Sequence, residues 1–269
     1  MRIGTHEFDL KNQTYIMGIL NVTPDSFSDG GKYHAMDAAL KRAEQMKCEG
    51  AAILDIGGES TRPGFTPVSE EEEMERILPV IEAVKQNIDI PISVDTYKSK
   101  VAKAAVEAGV DLINDIWGLK ADAYMAPLIA KYDVACCLMH NRTNAVYKNY
   151  MQDLLEDLKE SLVLAEEAGI KQNKIILDPG VGFAKDYQQN LEAIRHLYQV
   201  KELGYPVLLG ASRKSVIGLT LDLPSEERLE GTLVTTVAAV QQGCSFVRVH
   251  DVKENYRAIQ MAQAIYRRG

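Results

Sequence analysis

Cysteine is scarce in this chain. The four present, Cys48, Cys136, Cys137 and Cys244, show neither the paired C-x-x-C spacing of a zinc site nor the density of a secreted disulfide scaffold. Reduced, mostly buried thiols are expected. Long apolar runs are missing as well: no stretch approaches the roughly 18 residues of a membrane-spanning helix, and the opening MRIGTHEFDLKNQTY lacks the unbroken apolar segment of a signal peptide. These absences point to a cytoplasmic protein that does not enter a membrane. Positive charge is in deficit, with a formal net charge of -8, so a broad nucleic-acid footprint is excluded and any anionic ligand must be met by a few local cations. No low-complexity tract or interdomain linker interrupts residues 1–269, and a composition 46% hydrophobic and 25% charged suits one globular domain over that whole span.

What is present is a repeated unit. Short, nearly continuous apolar runs recur at 15–21 (YIMGILN), 51–57 (AAILDIG), 91–95 (PISVD), 111–115 (DLIND), 134–140 (VACCLMH), 174–178 (KIILD), 206–210 (PVLLG) and 245–250 (SFVRVH). Unbroken runs are the mark of parallel strands covered on both faces. Between them lie segments of helical period, one with a capping-box pattern at Ser69 and Glu72. Gly50, Gly109, Gly169, Gly204 and Gly243 each stand shortly before a strand, where a left-handed residue ends a helix. Eight strand-then-helix units in this length predict a (β/α)8 TIM barrel, with residues 1–14 as a short N-terminal β-hairpin closing its floor. A doubly wound open sheet is the alternative.

The polar residues gather where the apolar runs end: Asn21, Asp55, Asp95, Asn114 and Asp115, Met139 and His140, Asp178, Gly210 followed by Ser212, Arg213 and Lys214, then Arg248 and His250. One strand ending in Asp is commonplace, since Asp caps the next helix. Acids, amides and cations at the ends of nearly every strand indicate a site, because a barrel brings those ends around one mouth. The stretch LDPGVGFAK (177–185) has two glycines and a lysine, but neither G-x-G-x-x-G nor Walker spacing, so Asp178 rather than a phosphate cradle is its working part. GASRKS (210–215) likewise lacks the Walker glycine pair.

Together GILNVTPDSFSDGG (18–31), GGESTRPG (57–64), SVDTYK (93–98), IND (113–115), DPGVGFAK, GASRKS and VRVHDV (247–252) resemble the dihydropteroate synthases of the bacterial folate pathway. The resemblance implies the same barrel, and condensation of 6-hydroxymethyl-7,8-dihydropterin diphosphate with 4-aminobenzoate. It places the pterin against Asp95, Asn114, Met139, Asp178, Phe183, Gly210, Lys214 and Arg248. The diphosphate falls to Asn21, Thr61, Arg62, Arg248 and His250, and 4-aminobenzoate to Phe27, Pro63, Phe183, Lys214 and Ser215. Asn21 becomes the protein ligand of Mg²⁺, and Asp29 a supporting residue of its loop. Asp95, Asp178, Lys214, Arg248 and His250 form the catalytic group. The resemblance further implies a homodimer through the last helices, where LVTTVAAV (233–240) is apolar, and competition by sulfonamides. Two other readings share a pterin-binding barrel: a corrinoid-linked methyltransferase, which has no use for STRPG and VRVH, and a noncatalytic pterin-binding paralogue, which would be expected to lose the anion ligands.

Overall fold

The computed structural model describes residues 1–22, 31–59 and 68–266; side chains are described for all of these but 31–35. Two short antiparallel strands, β1 (Arg2–Ile3) and β2 (His6–Glu7), precede the main sheet. Eight strands then run in parallel: β3 (Tyr15–Asn21), β4 (Ala51–Gly57), β5 (Ile92–Asp95), β6 (Leu112–Asp115), β7 (Ala135–Met139), β8 (Ile175–Asp178), β9 (Leu208–Leu209) and β10 (Phe246–Val249). Each pairs with its sequence neighbour from β3 to β8, while β10 lies between β3 and β9. A parallel bridge from Leu177 to Val207 joins β8 to β9 and closes the ring. The barrel is therefore the expected one rather than an open sheet, and its seventh strand is shorter than the apolar run at 206–210.

Two apolar clusters explain the closure. The outer one packs the helices onto the sheet, with residues such as Leu54, Ile56, Val94, Ile113 and Leu138 turned outward. The inner one fills the barrel: Met17, Ile53, Leu112, Cys137, Ile176, Leu208 and Phe246 meet Ile3 and Phe8 from the N-terminal segment. The hairpin thus plugs the floor. Cys136, Cys137 and Cys244 are buried in these layers and Cys48 is exposed, all as free thiols.

Helix α1 (Gly31–Glu49) follows β3, and α2 (Glu70–Asn87) follows β4. The Ser69 side chain accepts from the Glu72 amide, four glutamates occupy the first turn where the helix dipole favours negative charge, and Ile77, Val80, Ile81 and Val84 form the buried stripe. Glu72 turns to Arg76 instead of completing a capping box. A complete box occurs at Asp186 and Gln189 on α6 (Tyr187–Arg195). The remaining helices are α3 (Ser99–Glu107), α4 (Met125–Tyr132), α5 (Tyr150–Glu167), α7 (Leu197–Lys201), α8 (Ser215–Leu221), α9 (Leu229–Gln241) and α10 (Val252–Tyr266). All five glycines that precede strands have positive φ, between 75° and 109°, as helix-ending residues should.

Candidate active site

Alternation along each strand decides which side chains reach the mouth. Because Met17, Ile53, Leu112, Cys137, Ile176, Leu208 and Phe246 point inward at mid-barrel, the inward positions two residues on are Ile19, Asp55, Asn114, Met139, Asp178, Gly210 and Arg248. Asp95 follows Ser93 on β5 in the same way; Asn21 ends β3 and His250 follows β10, each one step further out. Asp95, Asn114, Met139, Asp178, Gly210 and Arg248 therefore converge, drawn from six different strands.

The centre is an ion-pair cluster. Arg248 donates from Nε to Asp55 Oδ2 at 2.5 Å and from an Nη to Asp95 Oδ2 at 2.6 Å, and Asn114 Nδ2 donates to the same Asp55 oxygen at 3.2 Å. Asp178 Oδ1 accepts the Gly180 amide at 2.7 Å. A methyl on Gly210 would lie 3.5 Å from Asp178 Oδ2 and 3.9 Å from both Lys214 Nζ and Arg248 Cβ, so these three groups surround one bare patch of backbone. Lys214 Nζ donates to the Val181 carbonyl and sits 4.7 Å from the Phe183 ring centroid. Met139 pairs in register with Asp178 and is buried beside it.

Burial sets the electrostatics. It pushes the Asp95 carboxyl up to about 7, with Arg248 pulling the other way, and raises Asp178 against the opposing pull of Lys214 and the Gly180 amide. It draws Lys214 down to about 8, against the attraction of Asp178. Burial also works against the Arg248 charge, but Asp55 and Asp95 more than offset it and hold the guanidinium above its ordinary range. Among the described residues, Asp55 Oδ1, Asp95 Oδ1 and Ser93 Oγ are buried with no hydrogen-bond partner. Each such atom costs about 1–3 kcal/mol, so the cluster favours a ligand bearing N–H donors.

Toward the rim, His250 Nδ1 meets Ser212 Oγ at 3.0 Å, and Arg42 donates to the His250 carbonyl at 3.0 Å. Asn21 is exposed; its Oδ1 and the Asp95 carboxylate flank Gly57. Ser215 opens α8, exposed beside Lys214. Phe27, Asp29, Thr61, Arg62 and Pro63 lie outside the described residues. Asp115, also at a strand end, is spent locally: its carboxylate accepts the amides of Trp117 and Leu119 at 2.9 and 2.7 Å.

Three groups were not assigned a site role from sequence. Asp55 anchors both Arg248 and Asn114, a pairing that depends on which strands face one another across the barrel. Lys98 Nζ binds Glu59 Oε2 at 2.6 Å, Glu73 Oε2 at 2.7 Å and the Val68 carbonyl at 2.8 Å, joining the two sides of the 60–67 segment. Lys185 is half-buried and close enough to Asp178 to feel its charge, bonded to His140 Nδ1 at 2.8 Å and the Phe183 carbonyl at 3.0 Å. Its presence in DPGVGFAK was visible, but nothing in the spacing showed it turning inward.

A closed ring of parallel strands with three carboxylates, an amide and two cations gathered at the C-terminal mouth defines a (β/α)8-barrel enzyme. The chain belongs to the dihydropteroate synthase family of transferases, within the pterin-binding enzymes: residues 17–250 match the family described as "Pterin binding enzyme", and full-length relatives carry the narrower name. The dihydropteroate synthase of Clostridium beijerinckii is 60% identical over 100% of both chains, and that of Bacillus subtilis 54% identical over 96% of this chain and 91% of its own. Among solved structures, a dihydropteroate synthase from Clostridium difficile crystallised in the presence of pteroic acid superimposes with a TM-score of 0.95 at 52% identity, covering 97% of this chain and 100% of its own. One from Xanthomonas albilineans with 4-aminobenzoic acid gives 0.91 at 41% identity over 96% and 95% of the two chains. A Yersinia pestis synthase in a sulfonamide complex gives 0.91 at 40% identity over 98% of each.

Proposed function

We propose that this chain joins 6-hydroxymethyl-7,8-dihydropterin diphosphate to 4-aminobenzoate, releasing 7,8-dihydropteroate and diphosphate, in one barrel domain over residues 1–269. The observation that carries this reading is the set of buried, unpartnered acceptors around Arg248 and Asn114. A pterin edge of alternating donors and acceptors satisfies such a set, and a ligand lacking those donors leaves it unsatisfied. In this reading Asp95, Asn114, Asp178 and Lys214 read the ring, with Met139 and Phe183 as apolar walls and Gly210 as its floor.

The C–O bond to diphosphate breaks before the C–N bond forms, because an arylamine is a weak nucleophile and the pterin can carry positive charge at its exocyclic methylene. Asp95 and Asp178 stabilise that charge; Arg248 and His250, with Thr61 and Arg62 from the 60–67 segment, hold the departing diphosphate. The arylamine proton leaves to water. Phe27, Pro63, Phe183, Lys214 and Ser215 enclose 4-aminobenzoate, and sulfonamides compete there, as the sulfonamide-bound Yersinia relative suggests.

Among the described residues no group of three His, Cys, Asp or Glu could hold a metal by itself. Asn21, a hard oxygen donor at the rim, would fit Mg²⁺ brought in on the diphosphate, since that ion keeps phosphate and water ligands and needs few from protein. When bound, the ion neutralises phosphate charge.

The test is a discontinuous assay for dihydropteroate from both substrates with and without Mg²⁺, repeated with deuterium at the methylene. Product in the presence of Mg²⁺ and a secondary isotope effect well above unity are expected. An effect near unity would show concerted attack, and no product at all would remove the activity.

No described helix is long and apolar enough to cross a membrane. We place a homodimer on the outer face, where Leu191, Ile194, Val216, Val234 and Ala238 line an apolar groove of about 880 Å³ between α6, α8 and α9. Val234 and Leu221 are 69% and 45% exposed there, the sort of apolar surface that a second copy covers. Sedimentation at the mass of one chain would contradict it.

A further inference from the structure

We propose that Lys185, backed by His140 and Asp157, is a positioning residue for 4-aminobenzoate, holding the 180–185 turn so that Phe183 and Lys214 form one wall. The proposal rests on the function given above and concerns a residue that the function leaves unused.

The turn cannot hold its shape alone. Gly180, Gly182 and Ala184 have φ of 71°, 88° and 45°, and for Ala184 the left-handed region is strained by about 1–2 kcal/mol. Side chains, three of them from outside the turn, compensate at successive backbone groups. Lys214 takes the Val181 carbonyl, Asn190 Oδ1 accepts the Gly182 amide at 2.5 Å, Lys185 Nζ takes the Phe183 carbonyl, and Tyr147 Oη donates to the Ala184 carbonyl at 2.8 Å. Two of these four donors and acceptors, Lys185 and Tyr147, are braced from behind by His140 and Arg142, which are joined at Asp157. His140 Nε2 meets Asp157 Oδ2 at 2.9 Å, Arg142 binds both Asp157 oxygens, and the Arg142 guanidinium stacks 4.4 Å from the Tyr147 ring centroid.

The protonation states agree with the geometry. Burial holds His140 neutral, down at about 4, so with Nε2–H directed to Asp157 its Nδ1 is free to accept from Lys185. Burial also brings Lys185 down to about 7, with Asp178 opposing and Lys214 and Arg142 reinforcing the fall. A neutral amine has two N–H bonds, matching its two acceptors, His140 Nδ1 and the Phe183 carbonyl. Gaining or losing the third proton leaves both contacts in place, so the residue supplies reach and donors rather than charge.

The experiment compares Lys185→Met and Tyr147→Phe with the wild type, measuring kcat, KM for 4-aminobenzoate, Kd for the pterin diphosphate, and hydrogen exchange at the amides of 182–185. Lys185→Met is expected to raise the 4-aminobenzoate KM about tenfold, the loss of roughly one good hydrogen bond, with kcat within about threefold and a smaller rise in the pterin Kd, about threefold, because Phe183 and Lys214 also line the ring. Tyr147→Phe removes the neighbouring donor alone and raises the same KM about threefold. Exchange at 182–185 speeds up in both. An unchanged KM in both variants, or a pterin Kd that rises as much as that KM or more, would overturn the proposal. If Lys185→Met fails to fold, the Tyr147→Phe result decides. An inactive wild type counts against the function, and the exchange rates then still decide whether these side chains hold the turn.

Discussion

Replacing Asp178 by asparagine lowers kcat/KM for the pterin diphosphate by about two orders of magnitude or more while the barrel stays folded. Asp178 ends β8 in the buried mouth with one oxygen committed to the Gly180 amide and the other facing Gly210 and Lys214. Asparagine keeps an oxygen for Gly180, so the turn can form, but the charge is gone. Hydrogen bonds to a charged group contribute about 1.5–3 kcal/mol each, and one or two of them amount to roughly ten- to ten-thousandfold. Loss of the carboxylate next to the developing cation adds to this, because that interaction strengthens as the C–O bond opens. Steady-state kinetics with a melting curve of the same sample checks it. A variant that melts like the wild type and turns over within threefold of it would remove Asp178 from the pterin site.

Replacing Arg248 by glutamine destabilises the protein by about 3–5 kcal/mol, because it leaves Asp55 and Asp95 buried beside each other without their shared cation. For a chain of this size that corresponds to a fall in Tm of very roughly 10 °C. The loss depends on pH, and its sign follows from Asp95. That carboxyl already lies up at about 7, above its ordinary 3.8, and Arg248 is the group that pulls it down. Without the guanidinium it rises further. A group whose folded-state value is raised leaves the protein most stable below the unfolded value and costs stability as pH rises through the folded one. The Tm deficit of Arg248→Gln is therefore smaller near pH 5 than near pH 8. In the wild type, kcat/KM falls as pH drops through 7 and Asp95 is neutralised; in the variant that acid limb moves upward. Adding Asp55→Asn to Arg248→Gln removes one uncompensated charge and recovers part of the Tm. Calorimetry at the two pH values tests this, and equal deficits at both would show that Arg248 does not neutralise Asp95.

Much of the site could be read from the chain because a barrel turns a one-dimensional pattern into a ring. Asn21, Asp95, Asn114, Asp178 and Arg248 each end an apolar run, and strands that run in parallel bring their ends to the same face. The five helix-ending glycines were legible for the same reason: a left-handed residue leaves a mark in the sequence. Pairing across the ring leaves none. Asp55 and Arg248 sit on β4 and β10 with β3 between them, and Asp55 and Asn114 on β4 and β6 with β5 between. Their partnership depends on strand tilt and stagger, which no local spacing encodes. Short helices such as α4 and α7 span eight and five residues, too few turns to show a period. Asp115 looked like its neighbour Asn114, yet the step of one residue turns it out of the barrel and into its own turn.

The most direct measurement is a crystal structure of this protein with a pterin or pteroate bound. The ring is expected in the mouth over Gly210, with its N–H groups on the carboxylates of Asp95 and Asp178, its edge on Asn114 and Lys214, and the arylamine portion against Phe183. A ring bound instead in the outer groove between α6, α8 and α9, or one that leaves Asp178 and Asn114 without contact, would contradict the account.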